Sequence, residues 1–220
     1  MIVITGASDG LGLELAKLYQ KAGIRVVNIS RRECEYADQN IIADLQKESD
    51  LTSAASSILE DNEPLNILIN CAGVLSLQAF SNMTDEEIRR VLTVNTSAPM
   101  LLVSRLMKKI KRDNTDIVNI ASTSSFHGST KTPIYNVSKW GLLGFSKSLK
   151  EELRDTSSRV ISFCPDIFSS GLFEKATGEN VQDRSKWMCA EDLAILLKQI
   201  LDLPKIMEVS EIIINRNKLH

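Results

Sequence analysis

The amino-acid sequence predicts an α/β fold: one doubly wound parallel sheet of about seven strands between helical layers, a three-layer αβα arrangement. Three observations predict it. Short β-rich runs alternate with segments of helical period along the whole chain. Most runs are apolar through their centres rather than strictly alternating, as strands buried on both faces are. A length of 220 residues suits one such domain with a full core and does not require a second. Strand–helix–strand units of this kind connect through right-handed crossovers.

The first run, IVIT (2–5), leads through TGASDGLG into a helix with Leu11, Leu15 and Leu18 on one face, stopped after Ala22 by Gly23. RVVNIS (25–30), NIIA (40–43) and LNILIN (65–70) follow. A long helical stretch from about 84 to 111 opens with Thr84 and Glu87 at capping-box spacing and carries Ile88, Val91, Leu92, Leu102, Leu106 and Ile110. DIVNIA (116–121) precedes a helix over 135–154 that sets Leu142, Phe145, Leu149 and Leu153 on one face. RVISFC (159–164), a helix near 190–202 and EIIIN (211–215) complete the series. The stretch 165–190 is polar and mixed, with Gly171 and Gly178, and is long for a connection. Such segments serve as lids in α/β enzymes, the alternative being a plain surface loop. No repeat or low-complexity linker interrupts the chain, so 1–220 reads as a single domain with a short substrate loop at 165–190.

Composition narrows the function. Hydrophobic residues make up 43% and charged residues 25%, ordinary globular usage. A net charge of −2 gives no electrostatic case for nucleic acid or an anionic membrane. No apolar run reaches the roughly 18–20 residues that span a bilayer, and the opening MIVITGASDG has no secretory pattern. Cys34, Cys71, Cys164 and Cys189 lack Cys-x-x-Cys spacing and read as free thiols of a cytoplasmic protein. His127 and His220 are too few and too far apart for a histidine metal site, and no Gly-x-Ser-x-Gly elbow accompanies them.

The turn TGASDGLG points to a dinucleotide. A pyrophosphate needs a tight turn, a close backbone approach and helix N–H groups facing it. Gly6, Gly10 and Gly12 at the first strand–helix junction provide for these, with Thr5 before them and Ser8 among them. About twenty residues on, where an acidic residue would bind an unmodified ribose, the chain has Ser30, Arg31 and Arg32. Guanidinium groups suit a 2′-phosphate, so NADP is favoured over NAD; otherwise the arginines are a solvated pair. Asp44, after the third strand, faces either an adenine amino group or the next helix as a cap.

Tyr135 and Lys139, in YNVSK, stand one helical turn apart. An ammonium beside a phenol stabilises the phenolate, lowers a pKa of about 10 and makes a better proton shuttle; packing is the plainer explanation. Ser122, thirteen residues earlier, closes the fifth strand, where its hydroxyl would face the ligand crevice. Asn95 lies within the long helical stretch, where asparagine is a poor choice without a task or a kink. NCAG (70–73) ends the fourth strand in a small-residue turn that would admit a cofactor.

With TGASDGLG, NCAG, Asn95, Ser122 and YNVSK in this order, the sequence resembles the short-chain dehydrogenase/reductase family over nearly its whole length. The resemblance implies a Rossmann fold of strand order 3-2-1-4-5-6-7, and dimers or tetramers formed through the long helices. It implies a tetrad. Tyr135 is the acid/base; Lys139 lowers its pKa and holds the nicotinamide ribose; Ser122 orients the substrate oxygen; Asn95 positions a water linking Lys139 to solvent. Cofactor contacts are expected from Gly6, Ser8, Asp9, Gly10, Leu11 and Gly12, and from Ser30, Arg31, Arg32, Asp44 and Leu45. Further contacts are expected from Asn70, Cys71, Ala72, Gly73, Tyr135, Lys139, Pro165, Ile167 and Ser170.

Three departures stand out. Pro165-Asp166 replaces the usual Pro-Gly, setting a carboxylate where the nicotinamide lies. Cys71 stands where asparagine is frequent, or is a small apolar filler. The chain is shorter than most relatives, implying a small lid and an open crevice. Candidate crevice walls are Val74, Ser124, Phe126, His127, Phe168, Leu172 and Phe173, which also suit core or loop positions. LPKIMEVSEIIINR resembles the C-terminal run of serine and 3-hydroxy-acid dehydrogenases of the family. The expected activity is an NADP-dependent carbonyl reductase or alcohol dehydrogenase acting on a small molecule. The rival is a non-catalytic NADP-binding sensor, to which Asp166 lends weight.

Overall fold

The computed structural model describes residues 1–178 and 187–217. Seven parallel strands form one sheet: β1 Ile2–Thr5, β2 Val26–Ser30, β3 Gln39–Ile42, β4 Ile67–Asn70, β5 Asp116–Ile120, β6 Val160–Pro165 and β7 Glu211–Ile214. Their order is β3-β2-β1-β4-β5-β6-β7, as the resemblance implied. Strand ends fall within two residues of the sequence reading.

Successive strand residues enter opposite cores, which is why the runs do not alternate. Met1 and Val3 pack with α2 (Glu48–Glu60), α4 (Ala98–Asp113) and α5 (Pro133–Leu153) through Leu51, Ile58, Leu102, Leu106 and Leu149. Ile2 and Ile4 face the other way. They meet α1 (Gly10–Lys21) and α7 (Ala190–Leu201) through Leu11, Leu15, Leu193 and Leu197. Each fully buried side chain of this size contributes about 1.5–3 kcal/mol. The edge strands β3 and β7 are half-exposed, as outer strands with one neighbour must be.

The long helical stretch is not one helix. α3 covers Asp85–Leu92; a π turn at Thr93–Ser97 then adds a residue before α4 begins. Thr84 accepts from the Glu87 N–H at 3.2 Å, half of the expected capping box. The other half is absent because the Glu87 carboxylate turns to Arg90, 2.7 Å away. Within 165–190 a short helix, α6, spans Leu172–Thr177; residues 179–186 of that stretch lie outside the described residues.

Candidate active site

A cleft of about 220 Å³ opens at the carboxyl ends of β1 to β5, across the point where strand order reverses between β1 and β4. Open α/β sheets bind ligands at such a switch point. Its floor is the glycine turn. Gly6 has φ +77°, and a Cβ there would lie 2.9 Å from Ala72 Cα. A Cβ on Gly12 would lie 2.4 Å from the Gly6 carbonyl oxygen, so Gly12 lets α1 pack against the turn. Thr5 Oγ1 accepts from the N–H groups of Cys71 (3.0 Å) and Ala72 (3.1 Å), locking the β4 turn onto β1. Asp9 caps α1, accepting from the Gly10 N–H at 2.8 Å. The glycine turn and the start of α1 both line the cleft, the features a diphosphate needs, so the residues present fit a dinucleotide.

Sixteen of the expected cofactor contacts line the cleft: Gly6, Ser8, Asp9, Gly10, Leu11, Ser30, Arg31, Arg32, Asp44, Leu45, Cys71, Ala72, Gly73, Tyr135, Lys139 and Ser170. Four do not. Gly12 sits behind the turn. Asn70 points into a buried polar ladder, donating to Asn119 Oδ1 at 2.8 Å. Pro165 is buried at the end of β6. Ile167 donates its N–H to Asp166 Oδ1 at 2.8 Å. Of the substrate walls, Val74, Phe168 and Leu172 line the cleft; Ser124, Phe126, His127 and Phe173 do not. Phe173 instead meets the Trp187 ring edge-on, centroids 6.0 Å apart. Asp44 lines the wall and does not cap α2, whose N-cap is Lys47; its Oδ1 accepts from the Gln46 N–H at 3.1 Å in the turn before that helix.

The four tetrad candidates converge. Ser122 leaves β5 extended and accepts from the Ser124 N–H at 3.1 Å; it does not line the cleft wall itself, but its hydroxyl acts to lower the Tyr135 pKa. Lys139 Nζ donates to the Ile120 carbonyl at 2.6 Å and lies 5.7 Å from the Tyr135 ring centroid. Asn95 is fully buried inside the π turn. Its Oδ1 accepts from the Val74 N–H at 2.8 Å, and its amide donates to the Val74 carbonyl and to Ser138 Oγ at 2.9 and 3.0 Å. A Cβ at Gly73 would lie 3.6 Å from Asn95 Oδ1 and 3.8 Å from Lys139 Nζ, so both flank one point of the cleft.

The electrostatics correct one expectation. Burial pushes the Tyr135 phenol up to about 12, and the Ser122 hydroxyl only partly opposes it. Burial also brings Lys139 down to about 8, against weak opposing effects of the Cys71 and Cys164 thiols. The phenol is therefore not depressed here: both groups sit in a poorly solvated site, and the ammonium is directed at the Ile120 carbonyl. Cys71 is driven up to about 12 by burial and is a neutral filler, the apolar alternative.

Asp166 does not enter the cleft. Its carboxylate meets Arg216 Nε at 2.9 Å. Burial favours its protonation, but Arg216 and the Ile167 N–H outweigh burial and hold it below the usual carboxylate range. The carboxylate that favoured a sensor is thus neutralised away from the cleft lining.

The sequence reading missed Lys175 and Arg90, which line the cleft, and Asn136. Asn136 donates to the carbonyls of Ser124 and His127 and accepts from Thr132 Oγ1 at 2.7 Å. It thereby ties the segment after Ser122 to α5. An asparagine inside a helix was the available signal, the same one that marked Asn95. Among the described residues no group of His, Cys, Asp or Glu could hold a metal ion, and no helix is long and apolar enough to cross a membrane.

The parallel order and the switch-point cleft define a Rossmann-type dinucleotide-binding fold. The chain belongs to the short-chain dehydrogenase family, whose model, described as short chain dehydrogenase, matches residues 1–180. It is an oxidoreductase of that family. It is similar to the 3-oxoacyl-(acyl-carrier-protein) reductase FabG of Buchnera aphidicola, 30% identical over 182 residues, which cover 78% of this chain and 75% of that one. Among solved structures it resembles a short-chain dehydrogenase from Sphingobium yanoikuyae in complex with NADPH. The TM-score is 0.81 at 26% identity, over 97% of this chain and 86% of that one. The closed form of serine dehydrogenase complexed with NADP+ shares the fold at TM-score 0.86 and 19% identity, over 97% and 94% of the two chains.

Proposed function

We propose that the protein reduces a small carbonyl compound with NADPH, or runs the reverse oxidation, with Tyr135 as general acid/base. The observation that carries this reading is Tyr135 at the cleft wall one helical turn from Lys139, whose Nζ lies 5.7 Å from the Tyr135 ring centroid. NADP, when bound, supplies or accepts the hydride.

A phenol whose pKa is about 12 is fully protonated at neutral pH, the form that donates to a carbonyl oxygen. Ser122 orients that oxygen with a second hydroxyl. Lys139, with a pKa of about 8, is mostly an ammonium at neutral pH and stabilises the phenolate as the proton leaves. Asn95 and Lys139 flank Gly73, which supports a water-borne return of the proton from solvent. Arg31 and Arg32 at the cleft wall support NADP over NAD. Val74, Phe168 and Leu172 give the substrate end an apolar wall, which supports a largely uncharged carbonyl or alcohol.

Self-association as a dimer or tetramer belongs to the same reading. Met100, Leu101, Val137 and Trp140 leave apolar surface exposed on α4 and α5. Four unpaired cysteines support a reducing, cytoplasmic setting. The test is NADPH oxidation across aldehydes, diketones and 3-oxo esters. Turnover of at least one class is expected; NADPH binding without turnover of any would return the sensor to first place.

A further inference from the structure

We propose that Lys175, on α6 of the loop after β6, is a ligand of the cofactor's 2′-phosphate, and that Asp9 occupies the phosphate's place until it arrives. The inference rests on the NADP reading above and extends it to a residue far from the second strand.

One carboxylate oxygen carries it. Asp9 Oδ2 accepts from Arg32 Nη2 at 3.2 Å and, at the same time, from Lys175 Nζ. Two cations from distant parts of the chain thus share a single anionic oxygen at the mouth of the cleft that all three residues line. A phosphate oxygen between a guanidinium and an ammonium would make the same two contacts. Arg31 lines the same wall and makes no hydrogen bond or ion pair among the described residues. Arg31, Arg32 and Lys175 outnumber the carboxylates of Asp9 and Asp44 on the same wall, which leaves the wall net positive and suited to a phosphate. To admit the phosphate, the Asp9 side chain turns away from Arg32 and Lys175 and gives up its contact with the Gly10 N–H, which frees both cations for the phosphate oxygens.

The backbone brings α6 to this place. A Cβ on Gly10 would lie 2.9 Å from the Ser170 carbonyl oxygen, so the loop already rests on the glycine turn. Lys175 then ties α6 to that turn through Asp9, and the phosphate inherits the tie. The loop would therefore report the 2′-phosphate, which is a specificity role separate from any substrate contact.

The experiment measures NADPH and NADH dissociation constants by fluorescence for wild type, Lys175→Met and Asp9→Asn. Lys175→Met is expected to raise the NADPH constant about tenfold and leave that of NADH within about twofold, as loss of one charged hydrogen bond predicts. Asp9→Asn retains a capping side chain and removes the competing charge, so NADPH is expected to tighten several-fold relative to NADH. Thermal melting against wild type checks that each variant is folded. Equal weakening of both cofactors by Lys175→Met would place the lysine on a part they share and overturn the assignment. No change in either would overturn it as well, and no tightening by Asp9→Asn would remove the placeholder role. A wild type that binds NADH as tightly as NADPH would instead defeat the NADP reading itself.

Discussion

At Tyr135 and Lys139 burial favours the neutral form of each group and moves their pKa values apart, and chemistry at neutral pH depends on what remains charged. The phenol stays protonated with a pKa near 12 and the lysine keeps its proton only up to about 8. Lys139 binds its proton less firmly here than in solution, so raising the pH through about 8 discharges it while Tyr135 remains neutral. The free-enzyme pH profile for carbonyl reduction, read as kcat/KM, is therefore expected to be level near neutrality and to fall above about 8. A profile level up to the phenol's own range would remove Lys139 from the proton step. Arg31 gives a second prediction at this scale. Arg31→Ala should weaken NADPH on the order of tenfold, the worth of a charge-assisted contact, with NADH unaffected; titration of both cofactors checks it.

Among the elements, the inner strands were legible because they are buried on two faces and the edge strands because their centres are apolar, and the glycine turn because its backbone conformation requires glycine. The π turn was not. Val91, Leu102 and Leu106 sustain a helical apolar pattern on both sides of it, and one inserted residue hardly disturbs that pattern. Asn95 alone betrayed it, by residue type. α2 went unnamed because its buried face is mostly small: Leu51, Ala54, Ala55 and Ile58 among serines and a threonine. The Asp9–Lys175 and Asp166–Arg216 pairs carry no local signal, since their partners are 166 and 50 residues apart. Asn95→Ala would leave both polar groups of Val74 without their side-chain partner and unclamp Ser138. Denaturant melting should show a loss of about 1–3 kcal/mol; an unchanged midpoint would mean the π turn holds itself.

For the whole molecule, stability and chemistry sit at opposite poles of the sheet. At the amino ends of β5 and β6, buried Arg159 pairs with Asp116 at 2.6 Å and donates to the carbonyls of Leu201 and Leu203, fastening α7 to the sheet. Arg159→Met strands a buried carboxylate and should cost about 3 kcal/mol in denaturant unfolding, the low end for a broken buried pair because Lys205 still neighbours Asp116. NADPH affinity should not change, since the cleft lies at the carboxyl ends. At the other pole the account depends on the Tyr135 proton, and the most direct measurement is NADPH oxidation by Tyr135→Phe with a substrate that wild type turns over. The rate is expected to fall by about 10²–10⁴-fold with NADPH affinity retained. A variant that oxidises NADPH at the wild-type rate would contradict the phenol's role as proton donor.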